Sequence, residues 1–212
     1  MASAKLRKTW RRRSEARPDE ILDAALDEFI ASGFDAARMD DIAARAGVTK
    51  GALYLYFEGK EAMLRALIER EVAPMVARLE ALAEAPAPDP IELIRHAARM
   101  VSGALANPRL FAVPRLIVGI SGRFPELAEF YRETVFARGR AVIAKLVQRG
   151  VELGQFRNVD PVAAARAMMG PIMVEVLWTH VLRGESELGR GQAWIDAQLD
   201  ILLRGISAEG SA

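Results

Sequence analysis

Asp41-Ile-Ala-Ala-Arg-Ala-Gly-Val-Thr-Lys-Gly-Ala-Leu-Tyr-Leu-Tyr-Phe57 decides the fold of this 212-residue chain. Two short helices that cross steeply need a small side chain where their backbones meet, which Ala43 provides. The turn between them needs a residue that tolerates positive φ, which Gly47 provides. Ile42, Ala46, Val48 and Leu53 supply the apolar inner face. Thr49 stands where a hydroxyl caps the second helix, leaving amide N–H groups at that helix start to meet a phosphate. The spacing predicts a helix-turn-helix over roughly residues 38–56.

The same stretch turns a second set of residues outward: Thr49, Lys50, Gly51, Ala52 and Tyr54, then Tyr56 and, at the next helix start, Lys60. Lys50 is suited to donate to guanine O6 or N7. Gly51 and Ala52 are small enough to let the helix approach base edges, and the tyrosine hydroxyls and Lys60 are expected to reach phosphates. Such a surface both positions a protein on a duplex and reads it.

Upstream, Pro18-Asp19-Glu20 opens a helix whose first turn lacks hydrogen-bond partners and favours negative charge. Ile21, Leu22, Ala25, Leu26, Phe29 and Ile30 recur at helical spacing, and Ser32-Gly33 stops it. Further upstream the charge is lopsided. Residues 1–17 carry seven Lys and Arg against Glu15 alone, a local balance of +6 that leaves −5 for the rest of a chain whose formal charge is +1. A cationic arm of this kind is drawn to polyanions by counterion release. Beside a DNA-reading helix, Arg11, Arg12 and Arg13 are expected to enter the minor groove, as homeodomain arms do.

Residues 18–68 resemble the N-terminal domain of the TetR family of bacterial transcriptional regulators. The likeness rests on the first helix ending in Ser32-Gly33-Phe34, the Asp41-to-Val48 turn, the Tyr54-Leu-Tyr-Phe57 run and Lys60-Glu61 opening a linking helix. It implies DNA contacts from Thr49, Lys50, Ala52, Tyr54, Tyr56 and Lys60. One departure stands out. The family usually has a Thr-Thr or Thr-Ser pair before the second helix, where this chain has Ala37-Arg38, and Arg38 is expected to reach phosphate in place of the missing hydroxyl.

Downstream the chain reads as helical throughout, because Ala, Leu, Arg and Glu dominate and no period-2 run of β-branched residues occurs. Pro74 is expected to bend or restart the linking helix. A loop is expected at Glu84-Ala-Pro-Ala-Pro-Asp-Pro90, then helices near 90–106, 109–121, 125–153, 160–183 and 191–205. The expected fold is all-α with about nine helices. It divides into a basic arm (1–17), a three-helix DNA-binding domain (18–62), a larger helical domain for ligand binding and dimerisation (63–206) and a tail (207–212).

The helix from Pro161 to Leu182 is apolar on nearly every side and needs cover on more than one face, while the last helix repeats Trp194, Ile195, Leu199, Leu202 and Leu203. The family resemblance implies a homodimer built on these last two long helices and a pocket for a small-molecule inducer. Met100, Phe111, Leu116, Phe124, Met169, Met173 and Trp178 are candidates for its lining, since methionine and aromatic side chains make adaptable apolar walls. Glu175, His180, Arg115 and Arg123 are ionisable groups in apolar surroundings that could orient a ligand or pair among themselves. From about Leu110 to Leu182 the Arg-Leu-Ile-Val, Arg-Phe-Pro-Glu-Leu-Ala-Glu-Phe-Tyr and Gly-Gln-Phe segments resemble the C-terminal domain of an AefR-like branch.

Other classes find little support. The two histidines, His96 and His180, have no metal-ligand spacing, and there is no phosphate-cradling glycine loop or nucleophile elbow, so neither an enzyme nor a cofactor is expected. The absence of cysteine fits a reducing compartment, and the cytoplasm is expected. The most apolar run, Ala163 to Leu182, is interrupted by Arg166, Glu175 and His180, so no membrane span is expected. The reading is a sequence-specific regulator, expected to be a repressor released from a palindromic operator by an inducer. The alternative is a helical adaptor or membrane-surface protein whose basic arm binds acidic lipid, which could not tell an operator from a scrambled duplex.

Overall fold

The computed structural model describes residues 18–84, 89–105, 107–180, 182, 184–185 and 192–208. Among these the chain is all-helical, with one isolated antiparallel bridge between Phe156 and Ser207. The elements are α1 (18–32), α2 (Met39–Arg45), α3 (Lys50–Tyr54), α4 (Lys60–Leu67), α5 (Ala73–Glu84), α6 (Pro90–Leu105), α7 (Pro108–Ile120), α8 (Pro125–Tyr131), α9 (Arg138–Glu152), α10 (Pro161–His180) and α11 (Gln192–Ile206). Single π turns at Ile68–Val72 and Arg132–Ala137 join α4 to α5 and α8 to α9, which leaves nine helical runs among the described residues. The first π turn lies just before Pro74. Proline has no N–H to return to the carbonyl of Arg70, so the helix register is remade there rather than broken.

Three helix starts of the second unit share one local device. Asp89, Asn107 and Asp160 each precede a proline at the first helical position, and their side-chain oxygens accept from Ile91 N–H at 2.9 Å, Arg109 N–H at 3.0 Å and both Val162 and Ala163 N–H at 2.8 and 2.9 Å. The proline presets φ and lacks the donor that the first turn could not use, while the Asx oxygen satisfies the donors that remain.

The chain forms two compact units, one through Ile68 and the other from Glu69. The division falls beyond residue 62 because Met63, Leu64, Leu67 and Ile68 are fully buried, so α4 contributes a whole apolar face before the unit ends. In the first unit Ile21, Leu26, Phe29, Ile42, Leu53, Met63, Leu64 and Leu67 are the buried residues that hold α1 to α4. In the second, α9 packs against α10, α5 and α6, and α11 packs on α6. Leu79, Ile94, Val142, Leu146, Phe156, Ile195 and Leu199 form its core.

The end of α11 is tied back into this unit. Arg157 N–H donates to Ile206 O at 2.9 Å and Ala208 N–H to Gln155 O at 3.0 Å. Residues 207 and 208, read from the sequence as the start of a tail, are therefore part of the fold: their backbone polar groups pair with the loop after α9. The arm with Arg11, Arg12 and Arg13, and residues 209–212, lie outside the described residues.

Candidate nucleic-acid interface and ligand cavity

Helix α3 has only five residues, and its position comes from its ends and one anchor. Thr49 holds an extended conformation and its hydroxyl oxygen accepts from Ala52 N–H at 3.2 Å, while Leu53 N–H closes the first helical bond to Thr49 O at 3.0 Å. The cap occupies the Ala52 amide; those of Lys50 and Gly51 precede the first helical bond and point out of the helix start. Gly47 turns the chain from α2 to α3 at φ +66°, the left-handed region that a β-carbon disfavours. Leu53 is fully buried, Ala46 and Val48 are half-buried, and Thr49, Lys50, Gly51, Tyr54 and Tyr56 are exposed, with Ala52 half-buried beside them. One outward surface thus carries the predicted contact residues of α3.

Lys50 is exposed and paired. Its ammonium lies 2.9 Å from Asp40 Oδ1, in the first turn of α2, and the hydrogen bond to that carboxylate, then its charge, raise the Lys50 pKa above the ordinary lysine value. Arg38 stands at the N-cap of α2, exposed and in an extended conformation with no side-chain cap. Ala37 beside it is 3% exposed, so the pair that replaces the family's hydroxyls is one small buried residue and one free-reaching cation.

Lys60, expected from the sequence to reach a phosphate, has contacts within the chain: its ammonium donates to Phe34 O at 2.7 Å and Asp35 O at 3.0 Å and lies 5.1 Å from the centre of the Phe34 ring. These two carbonyls lie in the turn that follows α1 and take the ammonium, which also sits over the Phe34 ring. Lys60 therefore fixes the α1–α2 turn, and with it the start of α2.

A second tie was not foreseen. Glu28 is 6% exposed and accepts from the Ser32 hydroxyl at 2.6 Å and from the Arg45 guanidinium at 2.8 Å, joining α1 to the last turn of α2. The Ser32 hydrogen bond, then the Arg45 pair, hold its carboxyl below the usual carboxylate range. A lowered folded-state pKa adds stability that is present above the unfolded value and lost as the pH falls through the folded one. Glu28→Gln should therefore lower the urea midpoint at neutral pH, and the gap to wild type should close at acid pH below the ordinary carboxylate pKa. Urea titrations across pH check this; a gap that stays constant on acidification counts against it.

The second unit contains a partly open cavity of about 190 Å³. Its wall draws a stripe from each of several helices: Ile94, Ala97, Val101 and Ala104 from α6, Leu110, Pro114, Ile117 and Val118 from α7, and Met168, Met169, Ile172 and Met173 from α10. Of the seven lining residues expected from sequence, Met169 and Met173 are in the wall and five are not. Met100, Phe111 and Leu116 lie one residue off their helices' stripes, and each residue step turns a helix by about 100°. Phe124 caps α8 beside the Arg123 guanidinium, 6.0 Å from its ring centre. Trp178 is 46% exposed on α10 and its indole N–H donates to Glu185 O at 3.1 Å.

Among the described wall residues two side chains are polar, Glu71 and Tyr131. Glu71 is engaged by Arg70 at 2.6 Å. Tyr131, 6% exposed, packs edge-on against Phe136 at 5.4 Å, and burial pushes its phenol well above the ordinary value, so it stays protonated. A second cleft, of about 250 Å³, shares Phe136, Met169 and Met173 with the cavity and carries Arg132, Arg140 and Arg166. Glu175, one of the ionisable groups noted in the sequence, is 4% exposed on α10 and outside both walls.

Comparison with known proteins agrees with this geometry. Residues 21–67 match the tetR family of bacterial regulatory proteins, and residues 92–204 match the C-terminal domain of AefR-like transcriptional repressors. The uncharacterized HTH-type transcriptional regulator YdeS of Bacillus subtilis is 29% identical over 177 residues, covering 81% of this chain and 84% of its own. SmeT, the repressor of the Stenotrophomonas maltophilia multidrug efflux pump SmeDEF, superposes with a TM-score of 0.75 at 26% identity over 92% of each chain. Its complex with triclosan superposes with a TM-score of 0.79 at 25% identity, covering 93% of this chain and 94% of that one. These relatives are regulators and not enzymes, adaptors or membrane-surface proteins. The chain belongs to the tetR family of bacterial regulatory proteins, with an AefR-like C-terminal domain, and is a DNA-binding transcriptional regulator.

Proposed function

We propose that this protein is a homodimeric repressor that grips a palindromic operator with α3 and is released when a small molecule enters the cavity of the second unit. The observation that carries the reading is the outward surface of α3. A capped helix start with exposed amides meets phosphate, and Lys50 and Tyr54 stand beside it for base and backbone contact. Arg38 and Tyr56 extend the phosphate contacts, and the 1–17 arm adds sequence-independent attraction. Lys60 contributes by holding the turn before α2.

Exposed apolar side chains on the last two helices support the dimer. Val174 is 64% exposed, Leu177 44%, Trp178 46% and Ile201 68%, which is costly to leave in water and suited to a twofold mate. SmeT is known in complex with triclosan, and the apolar wall here supports a largely apolar small-molecule inducer. No described helix is long and apolar enough to cross a membrane. A regulator that binds operators works where the DNA is, which supports the cytoplasm as its site.

Selection of bound duplexes from a random pool, at two salt concentrations, tests the reading. Recovery of a twofold-symmetric site supports it; binding without enrichment of any site overturns it. For Lys50→Ala, the bridge to Asp40 is exposed and contributes little, whereas a base contact discriminates strongly. The substitution should weaken operator binding roughly 5- to 150-fold and relax preference at one position in each half-site. Fluorescence anisotropy on operator and scrambled duplexes separates the cases: equal losses on both would remove Lys50 from base reading.

A further inference from the structure

We propose that Tyr131 sets the chemistry of the inducer: the cavity takes an apolar molecule carrying one uncharged hydrogen-bond acceptor, which the Tyr131 hydroxyl meets. This rests on the reading of the cavity as the inducer site. Tyr131 is in the cavity wall and 6% exposed, and its hydroxyl has no hydrogen-bond partner among the described residues. A hydroxyl donor in an otherwise apolar wall gains from any acceptor that a bound molecule brings within reach.

The remaining polar wall group does not supply that acceptor. The Glu71 carboxylate is engaged by Arg70, with Glu71 Oε1 at 2.8 Å from Arg70 Nε. Every other described wall residue is aliphatic, aromatic or sulfur-bearing. The geometry also bears on the charge of the acceptor. No lysine or arginine is among the described wall residues, so an anionic group against them would be held without a counter-charge, at a cost that one phenol cannot offset. Arg132, Arg140 and Arg166 belong to the neighbouring cleft and not to this wall. A carbonyl, ether or hydroxyl oxygen on an apolar frame is what remains.

The experiment is a four-way comparison on the full chain by isothermal titration calorimetry: wild type and Tyr131→Phe, each with 1-indanone and with indane. The two probes share a frame, and 1-indanone alone carries an acceptor. Phenylalanine fills the same space as tyrosine and deletes only the hydroxyl, so Tyr131→Phe should melt no lower than wild type without ligand. Tyr131→Phe should weaken 1-indanone binding about fivefold and leave indane unchanged or tighter. Equal changes for the two probes would overturn the role of the hydroxyl and leave the cavity as the inducer site. If neither probe binds the wild-type protein, the cavity reading falls, and this inference with it.

Discussion

Leu53→Ala should abolish operator binding while most of the helical signal in far-UV circular dichroism remains. Helix α3 is too short to hold its own shape, because a helix of five residues scarcely exceeds its nucleation cost. Leu53 is what seats it. The side chain is fully buried, its N–H closes the bond to Thr49, and its carbonyl accepts from Tyr56 N–H at 3.0 Å and Phe57 N–H at 3.1 Å. Truncating a buried leucine costs about 2 to 5 kcal/mol. A unit of roughly fifty residues has a total stability of only about 3 to 8 kcal/mol. The loss is thus comparable with everything that holds the unit together, and within α3 Leu53 is the buried side chain. Anisotropy against operator DNA, alongside a urea titration, is the check. Binding within threefold of wild type would show that α3 is held by something other than Leu53.

Gly150→Val should produce the largest loss of stability in the second unit. The Phe156 ring lies directly over Gly150, where any β-carbon would overlap it. The backbone leaves no freedom to yield, since Gln155 and Phe156 N–H both return to Gly150 O, at 2.9 and 3.1 Å. Phe156 is 2% exposed and belongs to the same core as Leu146, Val147, Ile195 and Leu199. Relief requires expelling the ring, and loss of a buried phenylalanine costs about 3 to 5 kcal/mol. At about 2 to 4 °C per kcal/mol for a chain of this size, Tm should fall by roughly 6 to 20 °C. Adding Phe156→Ala should cost less in the Gly150→Val background than in wild type, because the ring has already been expelled there. A variant melting within about 2 °C of wild type would contradict the packing described.

The DNA-reading half was legible in the sequence because its determinants are local. Gly47 and Thr49 act through backbone conformation and bonds spanning two to four residues, and Leu53, though buried among distant residues, is marked as inward by its place in the apolar set of Ile42, Ala46 and Val48. The same holds for Asp89-Pro90, Asn107-Pro108 and Asp160-Pro161, which mark their helix starts to within a residue.

What was not legible depends on partners far along the chain. Nothing near Lys60 says that its ammonium meets carbonyls some 25 residues earlier, and a lysine reaching for phosphate has the same local signature. The cavity wall was only partly readable for a related reason. Met169 and Met173 lie on the right stripe of α10, but which stripe of α6 or α7 faces inward is set by how the helices pack, and Met100, Phe111 and Leu116 miss by one position. Tyr131 did leave a trace. It falls at helical spacing between the buried Leu127 and Val135, and a hydroxyl-bearing side chain on an apolar face signals a polar demand inside the core.

The tether between Lys50 and Asp40 bears on how the protein searches a chromosome. A genome offers vastly more wrong sites than right ones, so occupancy depends on how weakly the protein holds the wrong ones as well as how tightly it holds the right one. The Lys50 ammonium is held by a carboxylate 2.9 Å away. On the proposed reading of Lys50 as a base contact, a base edge must displace Asp40 to draw the lysine across, so the carboxylate competes with each sequence the helix meets, and selectivity is gained by weakening the hold on the wrong ones.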